Sequence, residues 1–150
     1  MTNRYTVLLL SAATVAFASG SSAHKSTTET SRSHQKKNAP IVSALAVKVS
    51  DGVRFTLEVT NTTNRMVELR FPDGFTHDFF VLDQSGKEVW RWSHGRMFTQ
   101  SIRTKLVKSK DEAVFSDAWQ PQNLKGNFTA VAVLKSTNHP VEERVEFALN

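Results

Sequence analysis

Val53-Arg54-Phe55-Thr56-Leu57-Glu58-Val59-Thr60 alternates apolar and polar residues without a break, and a period of two marks a strand with one face buried. Reading outward, Asn61-Thr62-Thr63-Asn64 interrupts the pattern, and Val67, Leu69 and Phe71 resume it opposite Glu68 and Arg70. Pro72-Asp73-Gly74 is a turn signal. Asp78 to Asp83 reads as an apolar strand with a carboxylate at each end, and Asp83-Gln84-Ser85-Gly86 turns it into Glu88–Trp92 as a hairpin. Ser93-His94-Gly95 is the next turn. Further strands are expected over Met97–Val107, Ala113–Trp119, Asn127–Leu134 and Val141–Leu149. Upstream, the alanines of Ile41–Val49 would suit a helix, but Val47 and Val49 favour a first strand. With no amphipathic helix in the pattern, the expected fold is an all-β antiparallel sandwich of about eight strands.

The chain has 150 residues, which suits one globular domain, here expected over 40–150. Ahead of it, Arg4 precedes the apolar run Tyr5–Ala18, and Ala16-Phe17-Ala18 and Ser21-Ser22-Ala23 offer small residues where a signal peptidase cuts. Residues 1–23 therefore read as a cleaved secretory signal. The expectation is a secreted or periplasmic protein with no stable membrane anchor after cleavage. Residues 24–39 hold no large apolar residue and read as a solvated, disordered basic linker. The chain contains no cysteine, so hydrophobic burial alone must hold the domain, and thiolate zinc sites and thiol nucleophiles are excluded.

The formal net charge of +5 is unevenly distributed. Arg4 carries one unit, and Lys25, Arg32, Lys36 and Lys37 less Glu29 carry three. Residues 40–150 carry the remaining one, as fourteen basic against thirteen acidic side chains. The domain thus has no overall basic excess that would suit nucleic acid.

One segment is distinctive. In Val89-Trp90-Arg91-Trp92-Ser93-His94-Gly95-Arg96-Met97-Phe98-Thr99-Gln100, two tryptophans at i and i+2 share one strand face and Arg91 takes the other. Arg96 is placed to stack on an indole or to meet a carboxylate such as Asp78. The order Asn61, Phe71-Pro72, Asp78-Phe79, Trp90-Arg91-Trp92-Ser93 and Gly95-Arg96-Met97-Phe98-Thr99-Gln100 resembles the BsuPI family, named for an intracellular proteinase inhibitor. The resemblance spans roughly 53–119 and includes Phe115-Ser116-Asp117-Ala118-Trp119. It implies an immunoglobulin-like sandwich and inhibition of a subtilisin-type serine protease.

A sandwich that holds a loop rigid can dock it in a protease cleft without a large ordering entropy. The candidate contact loop is Ser93, His94, Gly95, Arg96, Met97 and Phe98. Met97 or Phe98 suits a hydrophobic specificity pocket, and Arg96 an acidic one. Asp78, Trp90, Arg91, Trp92 and Trp119 are expected to be structural members of the motif.

An enzyme is not expected. Ser93, His94, His77 and Asp78 supply the residue types of a nucleophilic site, but neighbouring Ser93 and His94 would face opposite ways, and Gly-x-Ser-x-Gly is absent. His77, Asp78 and His94 match no ligand spacing, so no metal or cofactor is implied. The alternative is a non-inhibitory extracytoplasmic module that binds protein, or binds carbohydrate on Trp90, Trp92 and Trp119; exposure of those rings decides the sugar platform. Asn61-Thr62-Thr63 and Asn127-Phe128-Thr129 match the glycosylation sequon and are assigned no role.

Overall fold

The computed structural model describes residues 26–32 and 39–150. These form ten strands: β1 (Thr27–Arg32), β2 (Ile41–Val49), β3 (Val53–Asn61), β4 (Val67–Phe71), β5 (His77–Leu82), β6 (Glu88–Arg91), β7 (Arg103–Val107), β8 (Glu112–Trp119), β9 (Gly126–Leu134) and β10 (Val141–Leu149). One sheet runs β1-β2-β3-β8, a second runs β10-β9-β5-β6, and β4 and β7 form a separate ribbon. All pairings are antiparallel. In the first sheet β2, β3 and β8 take the A, B and E positions of an immunoglobulin-like sandwich; β10, β9, β5 and β6 take G, F, C and C′.

The alternation that predicts β3 also decides its burial. Val53, Phe55, Leu57 and Val59 are fully buried, facing Phe79 and Val81 of β5 and Phe147 of β10. Phe55 lies at the centre, with its ring 5.7 Å from Phe79, 5.3 Å from Trp90 and 6.4 Å from Phe147. Ile41–Val49 is a strand, with Leu45 and Val47 on the same inner face.

The ribbon prolongs the β3–β8 pair around a corner. β3 pairs with β8 as far as Thr60 opposite Glu112, and after a short break on each strand Val67 meets Val107 and Phe71 meets Arg103. Asn61 fastens the corner. It is wholly buried, and its Nδ2 donates to the carbonyls of Arg65 (2.6 Å), Val107 (3.0 Å) and Lys108 (2.9 Å). Its Oδ1 accepts from Thr63 N at 2.9 Å and Thr63 Oγ1 at 2.8 Å. Two amide hydrogens serve three acceptors, so one is shared. A side chain committed this way leaves no nitrogen for a glycan.

Two expectations change. Residues 27–32, read as part of a solvated linker, form β1 and pair with Ala44–Val49 of β2. The described side chains of β1, Thr27 to Thr30, are exposed, and the edge of β2 supplies the hydrogen bonds that apolar burial does not. The strand expected over Met97–Val107 begins only at Arg103. Before it the chain follows its aromatic contacts instead of a ladder. The secretory signal over 1–23 lies outside the described residues.

Candidate functional site

The β5–β6 hairpin positions the Trp90–Gln100 segment. Its turn is locked by Asp83, whose Oδ1 accepts from Ser85 N (2.8 Å) and Lys87 N (3.0 Å), with Gly86 at φ +82°. Ser85 N–H and hydroxyl bonds and the Lys87 N–H also hold the Asp83 carboxyl below its ordinary range, the Ser85 hydroxyl contributing most. From this turn β6 leads into Trp92–Gly95, where Arg96 N bonds Ser93 O at 3.1 Å and Gly95 takes φ +73°. A left-handed residue is what such a turn requires of glycine.

Trp90 and Trp92 share the inner face. Trp90 stacks between Phe55 and Trp119, at 5.3 and 5.5 Å. Trp92 lies nearer the surface against His77 (4.6 Å, 24° between planes) and Phe98 (5.7 Å). Trp119 is buried, and Trp90 and Trp92 are partly buried against the core. No row of exposed indoles exists among them, so they do not form a sugar platform.

Arg91 points the other way, over the Phe80 ring at 4.1 Å. It donates to buried Asp78 at 2.7 Å and to Glu88 at 2.6 Å. Arg91 thereby holds the Glu88 carboxyl below the usual carboxylate range. Asp78 Oδ2 also accepts from Ser93 Oγ at 2.8 Å, and its Oδ1 from Ser93 N at 3.2 Å. The carboxylate that Arg96 was expected to reach is therefore taken by Arg91 and Ser93. Arg96 fulfils the other expectation: its guanidinium lies 4.5 Å over Trp92, and its Nε donates to Trp92 O at 2.9 Å. Ser93, weighed as a nucleophile, donates its hydroxyl to Asp78. His94 is exposed. Among the described residues no three His, Asp or Glu side chains are grouped to hold a metal ion.

Beyond the turn, Arg96 folds back and Phe98 folds in, stacked on Phe75 at 4.5 Å. Between them Met97 projects with 98% of its surface exposed. Gly74 ties down the far side, its N donating to Thr99 O at 2.8 Å. A Cβ on Gly74 would come within 2.5 Å of Thr99 Oγ1 and 3.1 Å of Thr99 N. Of the loop residues Ser93–Phe98, Ser93, Arg96 and Phe98 are held by side-chain contacts, while His94 and Met97 project into solvent.

Sequence reasoning missed three contributors to this arrangement. Gly74 reads only as the end of a turn and Phe75 carries no reading at all, because their contact with the loop is made across about two dozen residues of chain. His77 reads only as a catalytic or metal-ligand residue type. It is packed between Trp92, Phe79 and Phe115, and its Nε2 is buried without a partner, as is Trp92 Nε1. Burial pushes its pKa down; Asp117 and Asp78 oppose that shift and Arg96 adds to it.

A family model described as BsuPI, intracellular proteinase inhibitor, matches residues 41–139. No curated protein matches the chain. A solved structure, described as the X-ray structure of Northeast Structural Genomics Consortium target SoR45, is 11% identical over 83% of this chain and 84% of that one, with a TM-score of 0.33. The family match overturns the expectation of a secreted or periplasmic protein, since the family it identifies is one of intracellular inhibitors.

Proposed function

The chain belongs to the BsuPI family of intracellular proteinase inhibitors, and from that premise we propose that it inhibits a subtilisin-type serine protease by docking the Ser93–Phe98 loop in the cleft, without catalysing a reaction. The observation that carries the proposal is Met97, 98% exposed between two residues that are both held down. An apolar side chain presented on a tethered loop enters a specificity pocket at little cost in ordering entropy. Arg96 and Phe98 were equal candidates in the sequence. Arg96 is engaged by Trp92 and Phe98 by Phe75, so Met97 takes the pocket and its neighbours hold it there.

Titrating the full chain against a subtilisin-type protease is expected to give stoichiometric inhibition. Met97→Glu is expected to weaken it by about tenfold or more, as for an anchor residue, with an unchanged melting midpoint because the side chain touches little else. Absence of inhibition by the parent chain, or equal inhibition by the folded Met97→Glu variant, overturns the reading.

A further inference from the structure

The β4–β7 ribbon is closed on one side and open on the other. Along the outer side of β4, Thr137 N donates to Arg70 O at 2.8 Å, Arg70 N to Asn138 Oδ1 at 3.0 Å, and Asn138 Nδ2 to Glu68 O at 2.7 Å. The β9–β10 turn thus serves as a stopper for that edge. β7 pairs with β4 alone, so among the described residues its other edge has no strand beside it. Arg103, Thr104, Lys105 and Leu106 are all exposed, and Ile102 just before them is 80% exposed.

Beside this edge runs a groove of about 550 Å³ with an apolar floor of Phe71 and Phe115. Arg103, Lys105 and Met97 also line it, and no carboxylate does. Being two apart on β7, Arg103 and Lys105 share the face that carries buried Val107. Neither is neutralised: among the described residues neither forms an ion pair with a carboxylate, Arg103 reaching only Thr99 Oγ1 and Lys105 lying 5.9 Å over Phe115. Cationic residues on an edge strand commonly guard it against self-pairing. Here they also flank an apolar floor continuous with the contact loop.

We infer that the β7 edge and its groove form a second docking element, which takes an extended acidic segment of a partner protein by strand addition. Main-chain hydrogen bonds to β7 supply the affinity, and carboxylates opposite Arg103 and Lys105 supply the selectivity. If the segment belongs to the protease, the inference rests on the inhibitory reading and adds a contact alongside Met97.

The test uses the full chain and a synthetic peptide alternating Glu with Val, with a Lys-Val peptide and an N-methylated Glu-Val peptide as controls. The Glu-Val peptide is expected to shift the amide resonances of Arg103–Leu106 and to bind more weakly as salt rises. Binding should fall about tenfold in an Arg103→Glu, Lys105→Glu double variant. Lack of binding, equal binding of the Lys-Val or N-methylated peptide, or full binding by the double variant overturns the inference. The protease titration separates the two proposals. Inhibition by the parent and equally by the Arg103→Glu, Lys105→Glu variant removes the protease as the β7 partner and leaves Met97 standing. Peptide binding at β7 without protease inhibition removes the inhibitory reading alone.

Discussion

Asn61 illustrates how much one buried amide can decide. Asn61→Ala leaves the carbonyls of Val107 and Lys108 and the Thr63 N–H short of partners, and is expected to lower stability by about 2–3 kcal/mol in urea unfolding. Asn61→Asp keeps the shape but sets a carboxylate against three carbonyls. It is expected to be at least as damaging at neutral pH and to recover partly in acid, as the carboxyl protonates. His77 carries the second prediction at this scale. Burial depresses its folded-state pKa below the usual value of about 6.5, so the unfolded chain binds the proton more readily. Its contribution to stability is complete above about pH 6.5 and declines as pH falls below that. His77→Phe retains a ring against Trp92 and is expected to flatten stability measured by denaturation between about pH 6.5 and 5; an unchanged slope would show that other groups set it. Neither role is legible in the sequence. Asn61 reads there as a strand breaker and His77 as a catalytic or metal-ligand type, because the partners that define both arrive from other strands.

Among the elements, the loop between β6 and β7 is held by the turn between β4 and β5. Gly74→Ala is expected to push Thr99 away, since its Cβ would meet Thr99 main chain as well as side chain. About 1–2 kcal/mol of stability should be lost, typical of overpacking. Weaker protease inhibition should accompany it, and faster amide exchange across Met97–Thr99 would report the loosened loop directly. The β5–β6 hairpin is legible from Asp83–Gly86 and the alternation on either side, because turn chemistry and period two are local properties. The segment before β7 is not. Met97 and Phe98 have the composition of a strand, yet Phe98 stacks on Phe75 and leaves Met97 in water. β1 is missed for the opposite reason. Its polar residues carry no hydrophobic signal, and only an open edge on β2 gives them a ladder to join.

At the scale of the molecule, a sandwich without cysteine depends on its aromatic centre. Phe55→Ala is expected to remove about 3–5 kcal/mol, a large share of the stability of a domain this size, and to leave the chain largely unfolded at physiological temperature by circular dichroism. The alternation in 53–60 and 141–149 and the turns around Asp83 and Gly95 determine by themselves that this chain makes antiparallel strands with one buried face. The Trp90–Gln100 block carries the family. These features are legible because each depends on residues close together in the chain. Only the tertiary structure decides that Asp78 binds Arg91 and Ser93 rather than Arg96, that Trp90, Trp92 and Trp119 turn inward, and that Met97 stands exposed between a held Arg96 and a held Phe98. Each of those outcomes is a competition between partners brought together by strand pairing, and alternation in sequence gives a side chain its face without choosing its neighbour.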